Sequence, residues 1–446
     1  MNKEVLIEAV RNAGIVGQGG AGFPSHVKYA ASADTLIANG CECEPLLHTD
    51  YHIMQHYAAG IGRAMQAVGD AVGASRRVVG LKKKHTQLIP PLREALTPFG
   101  VDLFLLDDFY PAGDEQILVR EATGRSVPPL GIPLQVGAVV ANVGTLADVD
   151  AAMRGAPFTD KFLTVTGEAG RPGIIRAPLG TPLTECLAAA GGALPASPVF
   201  VLGGPMMGQI VEGLGALAKE RVTKTTGGLI VLPSGHPLHI NATLPVEVMR
   251  RRAASACIQC RYCSDLCPRS LIGHPFETHL VMRAFAARNE LSEMGSQAAI
   301  CCECGACEQY ACPMGMSPRR INQVVKTAMR GASLQYSGSK EIRESATKAR
   351  EFRKIPVPRL AARLGLAAYM NLPTPWLGEV NPKRVDILLR QHIGAPARPL
   401  VSAGTLVKKG DCIGEIPEGA LGARVHAGIS GKVTAVTDDR ISIEGN

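Results

Sequence analysis

The chemistry of this chain is concentrated in its cysteines, most of which fall within one stretch, 257–313. The first run reads Cys257-Ile258-Gln259-Cys260-Arg261-Tyr262-Cys263-Ser264-Asp265-Leu266-Cys267-Pro268, a C-x2-C-x2-C-x3-C-P pattern without departure. The second reads Cys301-Cys302-Glu303-Cys304-Gly305-Ala306-Cys307-Glu308-Gln309-Tyr310-Ala311-Cys312-Pro313, the same run with one extra residue before its last cysteine. Three cysteines at this spacing wrap three corners of an iron–sulfur cube, and the Cys-Pro turns the chain away towards a partner cluster. Zinc also takes four thiolates, but its sites pair two C-x2-C knuckles and have no use for four cysteines in so short a run. Disulfides fit worse, because near-adjacent thiols suit a metal cage in a reducing compartment.

The paired runs resemble those of two-cluster bacterial ferredoxins, where the fourth cysteine of each run ligates the other cluster. That resemblance implies two [4Fe–4S] clusters. Cys257, Cys260, Cys263 and Cys312 would hold one, and Cys267, Cys301, Cys304 and Cys307 the other.

A second chemical stretch lies near the start. Residues 4–13 carry a helical apolar stripe closed by Gly14, and then comes Gly14-Ile15-Val16-Gly17-Gln18-Gly19-Gly20-Ala21-Gly22-Phe23-Pro24 with Lys28 shortly after. Glycines this dense let backbone N–H groups approach a phosphate or a flat ring, although a tight turn would explain them equally well. The loop is not a dinucleotide fingerprint, since no strand precedes it. Residues 35–38 read as a buried strand delivering Asn39-Gly40-Cys41-Glu42-Cys43-Glu44 at its carboxyl end, where open α/β sheets bind ligands.

At this point the chain resembles the NADH-binding flavoprotein subunit of respiratory complex I and, more closely, the RnfC subunit of ion-pumping Rnf complexes. The likeness continues through Tyr110-Pro111-Ala112-Gly113-Asp114-Glu115-Gln116, residues 124–129 and Ala141-Asn142-Val143-Gly144-Thr145. It implies an FMN and NADH site lined by Gly17, Gly19, Gly20, Lys28, Asn39 and Glu42, completed by Tyr110, Gly113, Asp114, Glu115, Asn142 and Thr145. Glu44 matches the family acid near the nicotinamide. Gln18 stands where complex I has Arg and Cys41 where it has Asp, so those two contacts do not carry over.

The elements that must position these residues are read more coarsely. The expected order is an FMN/NADH α/β domain over residues 1–157 and a β-grasp unit over 158–240. A helical two-cluster domain over 241–335 follows, then a helical linker over 336–382 and an all-β barrel-sandwich domain over 383–446. The β-grasp unit, with its Gly203-Gly204-Pro205-Met206-Met207-Gly208 motif, resembles the soluble-ligand-binding β-grasp (SLBB) domain of RnfC. The tail resembles a lipoyl-like domain, but no methionine flanks Lys432, so a packing role is expected rather than a swinging arm. His48, His52 and His56 recur every four residues and would share a helix face, either solvated or ligating a metal.

Composition bounds the rest. Aromatics make up only 4% of the chain and the net charge is +8, yet the basic residues are dispersed. A single Trp and no aromatic ladder beside a basic stripe give nucleic-acid binding no support. The uncharged stretch 186–211 is broken by Gly and Pro and cannot be a membrane helix. The first residues lack a signal peptide's apolar core, so a cytoplasmic location without membrane insertion is expected.

RnfC proteins carry their barrel-sandwich segment first, whereas here it comes last. With the Cys301-Cys302 doublet and the longer spacing before Cys312, this order resembles the cobalamin reductases of the bacterial propanediol-utilisation microcompartment. The resemblance implies that electrons pass from NADH to FMN, to two clusters and to a corrinoid. It also implies a microcompartment location, with an ATP:cob(I)alamin adenosyltransferase and shell proteins as partners. Rival readings are an RnfC-type electron-transfer subunit, an NADH:ferredoxin or quinone oxidoreductase, and a non-enzymatic interaction protein with structural clusters.

Overall fold

The computed structural model describes residues 1–344 and 348–445. Four parallel strands form the first sheet, in the spatial order Asp102–Leu106, Arg76–Lys82, Thr35–Asn39 and Ala138–Asn142. Thr35–Asn39 and Ala138–Asn142 are almost wholly apolar because helices cover both faces. On one side lie Lys3–Asn12, Thr49–Val72, Ile89–Leu96 and Val143–Ala152, whose Leu6, Ile61, Met65, Leu92 and Leu146 share a core with Leu36 and Val79. On the other, Glu115–Thr123 lays Ile117, Leu118 and Ala122 against Ile37, Val78 and Val140. The helix Thr49–Val72 ends at Gly73, whose φ of +79° supplies the left-handed C-cap.

The second sheet has six strands, in the order Trp376–Glu379, Gly173–Pro178, Asp160–Gly167, Gly228–Pro233, Pro198–Leu202 and Gln209–Glu212. Leu183–Ala189 packs across it through Leu183, Cys186 and Leu187, completing a β-grasp arrangement. Val246–Ser255, Thr278–Ala286 and Pro318–Gly331 then enclose a small core of Met249, Phe285, Ile321 and Val325 around the cysteine loops. The tail folds as two facing sheets of four and three strands over Val385, Ile413, Val425 and Ile443.

The segment expected to be a helical linker is more than that. Ile355–Pro356 pairs antiparallel with Phe109–Tyr110, and Trp376–Glu379 adds a parallel strand to the β-grasp sheet. Between them lies the short helix Val357–Arg363. These strands are too short to show an apolar period, so only their pairing reveals them. Residues 345–347, within that expected linker, and 446 lie outside the described residues.

The tail lies against the Gly-rich loop. Gly14 has φ +67°, and a methyl group there would run into the carbonyl oxygen of Arg424; at Gly22, with φ +77°, it would stand 3.0 Å from the Cα of His392. Glycine is needed at both positions for conformation and for room. The buried Lys224 ties the three regions together, its Nζ donating to the carbonyls of Gly14 and Arg424, each at 2.6 Å. No helix among the described residues is long and apolar enough to cross a membrane.

Candidate functional site

Asn39 and Asn142 end adjacent parallel strands in register, so both side chains emerge together at the carboxyl edge of the first sheet. Asn39 donates to the carbonyl of Gly113 at 2.8 Å and accepts from the Cys41 N–H at 3.1 Å. Asn142 caps its helix by accepting from the Gly144 N–H and donates to Asp50 at 2.8 Å. The Gly-rich loop crosses above them. A methyl group on Gly19 would stand 3.3 Å from Asn142, whereas one on Gly20 would meet nothing within 4 Å. Gly17 is fixed by its N–H, which donates to the carbonyl of Phe23. Lys28 reaches over the same edge, 3.1 Å from Glu115 and 2.9 Å from the carbonyl of Val140. Thr145, fully buried, accepts from the backbone N–H of Gln18 at 3.0 Å and so ties the loop to the sheet.

The acids divide between two tasks. Glu42 accepts from the backbone N–H groups of Thr49 and Asp50, each at 3.1 Å, at the start of the long helix. Burial, then the charge of Asp50, pushes its carboxyl well above the usual range. Glu44 accepts from the Met206 N–H at 2.8 Å through one oxygen, while the other is buried without a partner. Burial raises this carboxyl to about 7. An orphaned carboxylate oxygen, an open Gly20 and a lysine at the sheet edge fit a polar, phosphate-bearing cofactor such as FMN.

Gln18 shows how the chain manages without the complex I arginine. Its side chain accepts from the buried Lys161 and donates to Asp148. Lys161 stands on the β-grasp strand, so the cation comes from the next domain. Its pairing residues are distant in sequence, and no local signal could have pointed to it. Burial lifts Asp148 to about 7 and Asp50 to about 6, with Lys161 opposing both shifts.

Tyr110 and Asp114 face the cysteine loops. The Tyr110 hydroxyl, fully buried, donates to the carbonyl of Cys304 at 2.5 Å. Asp114 caps Glu115–Thr123 and forms a bidentate pair with Arg269 at 2.7 and 2.9 Å. Arg269 follows the Cys267-Pro268 turn. Burial works against its charge, but Asp114 and then Cys302 hold it above its ordinary value.

The two cysteine loops share one backbone plan. Gln259 and Arg261 flank the second cysteine of the first run with φ of 51° and 67°, and Glu303 and Gly305 do so in the second with 59° and 79°. Left-handed residues on both sides of a cysteine curl the chain around a compact centre. The first run then enters the short helix Tyr262–Asp265. The second enters a π-helical turn, Ala306–Ala311, which absorbs the extra residue. Cys267 and Cys312 therefore leave in the same conformation, with φ/ψ of −69°/121° and −75°/114°. A following proline imposes that extended geometry on both.

Cys257, Cys260, Cys263 and Cys312 line a single groove. Burial, then the neighbouring thiolates of Cys312, Cys257 and Cys260, pushes Cys263 up to about 12. Around Cys307 the nearest thiolate fields are those of Cys301 and Cys267, and around Cys304 those of Cys302 and Cys267. Thiols crowded in this way call for positive iron to ionise them. Backbone N–H groups of Glu303 and Met316 donate to the sulfurs of Cys301 and Cys312, each at 3.3 Å, as cluster loops require. All described cysteines are free thiols. Among the described residues no three His, Cys, Asp or Glu side chains converge as ligands of one ion.

Cys302 lies outside the C-x2-C-x2-C register, which by itself predicts a side chain turned elsewhere, but the structure differs. Cys302 shares a hydrogen bond with Cys304 and lies in the fields of both Cys304 and Arg269, inside the second group. The histidines also separate. His48 precedes the helix with φ −137°, while His52 is buried, 4.5 Å from His56 and stacked at 5.3 Å on Trp376. His52 and His56 remain neighbours, but among the described residues the three do not converge as ligands of one ion.

Comparison with known proteins divides the chain in the same order. Residues 10–151 match the Nuo51 FMN-binding domain, 162–209 the SLBB domain, 256–317 the 4Fe-4S dicluster domain and 378–445 the RnfC barrel sandwich hybrid domain. The chain is 41% identical to cobalamin reductase PduS of Salmonella typhimurium, over 99% of this chain and 97% of that one. It is equally similar, at 41%, to cobalamin reductase PduS of Citrobacter freundii, over 99% and 96%. A component of the ion-translocating oxidoreductase complex of Klebsiella pneumoniae is 34% identical over 60% of this chain and 35% of its own length. With near-complete coverage in both directions, the chain belongs to the cobalamin reductase family.

Proposed function

We propose that the protein is an NADH-dependent reductase of cob(III)alamin, feeding cob(I)alamin to an adenosylation step in propanediol degradation. The observation that carries this reading is the buried contact between Tyr110 and the Cys304 carbonyl, which joins a flavin-type pocket to a two-cluster cysteine domain within one chain. When bound, FMN accepts a hydride from NADH and two [4Fe–4S] clusters deliver its electrons one at a time, which is what cobalt needs.

The chain's own residues supply binding, orientation and proton control. The Gly17–Gly22 backbone and Lys28 would hold the phosphate and ring, with Asn39, Asn142, Gly113 and Thr145 fixing the floor. Glu115 would keep Lys28 aimed at the sheet edge. Glu42 and Glu44 would face the nicotinamide and flavin. With its carboxyl near 7, Glu44 can hold or release a proton at its unpartnered oxygen at working pH. Lys161 would bring a positive charge to the Gly-rich loop through its bond to Gln18. Cys257, Cys260, Cys263 and Cys312 would hold one cluster and Cys267, Cys301, Cys304 and Cys307 the other. An adenosyltransferase and microcompartment shell proteins are the proposed partners, with residence inside that compartment.

The test is anaerobic reconstitution with FMN, iron and sulfide, then NADH titration with and without hydroxocobalamin. Corrinoid reduction well above a free-flavin control is expected. Fast reduction of artificial dyes with no corrinoid turnover would instead favour an RnfC-type electron carrier.

A further inference from the structure

The two cysteine groups differ in their surroundings. Cys267, Cys304 and Cys307 are each less than 10% exposed, and the Cys304 loop packs with Tyr110, Leu46 and Met206 against the flavin domain. Cys260, by contrast, is exposed, and its groove is lined by Ile258 and Met314, 61% and 40% exposed, while Tyr262 in the same loop is 53% exposed. Apolar side chains grouped in water around a redox ligand set mark a contact surface.

We infer that the corrinoid docks flat on Ile258, Tyr262 and Met314, so that the Cys257/Cys260/Cys263/Cys312 set is the last stop for electrons and the Cys267/Cys301/Cys304/Cys307 set the first. The size of the surface decides the occupant. A stable protein interface takes about 800 Å² from each partner, and three partly exposed side chains provide far less. A planar macrocycle with apolar faces and an amide-bearing rim matches them. Tyr262 offers a ring face, while Gln259, exposed, and Arg261, half in water beside Glu277, stand at the edge where amides would fall. Each transfer removes one electron from the outer iron–sulfur set and lowers cobalt by one oxidation state, NADH being the ultimate donor.

This inference rests on the cobalamin reading, and the test separates the two. Tyr262→Ala and Met314→Glu change side chains that hold neither iron nor flavin, so iron and flavin content should match the parent and NADH should reduce all centres. Hydroxocobalamin binding to the oxidised enzyme, measured by equilibrium dialysis, should weaken about tenfold, as when an aromatic anchor is truncated. Cob(II)alamin should broaden the paramagnetic resonance of the cluster lost in Cys260→Ser, and it should do so in the parent but not in the variants. If the parent binds and reduces cobalamin and both variants behave identically to it, the docking surface is wrong and the function stands. If the parent neither binds nor reduces cobalamin, both fail.

Discussion

The two cysteine loops follow the same backbone plan and differ in what surrounds them. The first has the regular spacing and lies open to solvent. The second carries one residue more and is buried against the flavin domain through Tyr110, whereas the Asp114–Arg269 pair holds only the Cys267 end of the first. The irregular loop is thus the more deeply enclosed of the two. Its extra residue is housed in a π-helical turn because Cys307 and Cys312 must both keep their places. Spacing alone suggests that the second loop is the damaged copy; its surroundings show that it is the anchored one.

The largest effect should come from crossing the loops. Cys312→Ala should remove the cluster of Cys257, Cys260 and Cys263 while leaving the buried one, halving iron content by chemical assay. Because Cys302 falls outside the C-x2-C-x2-C register of Cys301, Cys304 and Cys307, Cys302→Ala should keep full iron. If Cys302 is essential and Cys312 dispensable, the symmetry between the loops is broken.

Next comes the anchor. Asp114→Ala would strand a buried guanidinium and should cost about 3–5 kcal/mol, read from guanidinium unfolding of iron-loaded protein. Asp114→Asn keeps the helix cap and should lose less. A loss within error would mean that the Cys267 end of the first run does not depend on the flavin domain. Tyr110→Phe should cost less, about 1–3 kcal/mol, since one buried carbonyl loses its donor.

The flavin side also holds charges that the exposed loop lacks. Asp148 is raised to about 7 by burial, so the native state binds its proton more tightly than the unfolded chain does. Its stabilising contribution is present below the ordinary carboxylate value and is lost as pH rises through 7. Asp148→Asn should therefore gain stability relative to the parent between pH 5 and pH 8, seen as a growing gap in urea midpoints. A constant gap would place the carboxyl in water.

The smallest effect should follow deletion of Gln309, a partly buried residue whose side-chain oxygen accepts from Asn241 at a long 3.4 Å. This deletion restores the shorter spacing and should convert the π turn to an α turn without loss of iron. If iron is lost, the extra residue is required rather than merely accommodated.

Much of this was legible in the residues alone. The cysteine runs carry their chemistry in spacing, because ligands within a dozen residues of one another are placed by local backbone geometry. The central strand 35–38 and its Asn39–Glu44 end were readable for the same reason, since an apolar run between polar breaks marks a buried strand. What escaped were pairings between distant segments. Trp376–Glu379 became a strand only by joining the β-grasp sheet, and His48 fell outside the helix that would have aligned it with His52 and His56. Lys161 acquired its place beside Gln18, and Arg269 its partner Asp114, only when separate domains packed together. Composition and spacing determine which groups can bind iron or line a pocket. Tertiary structure decides which buried charge meets which, because desolvation makes an unpaired one too costly to keep.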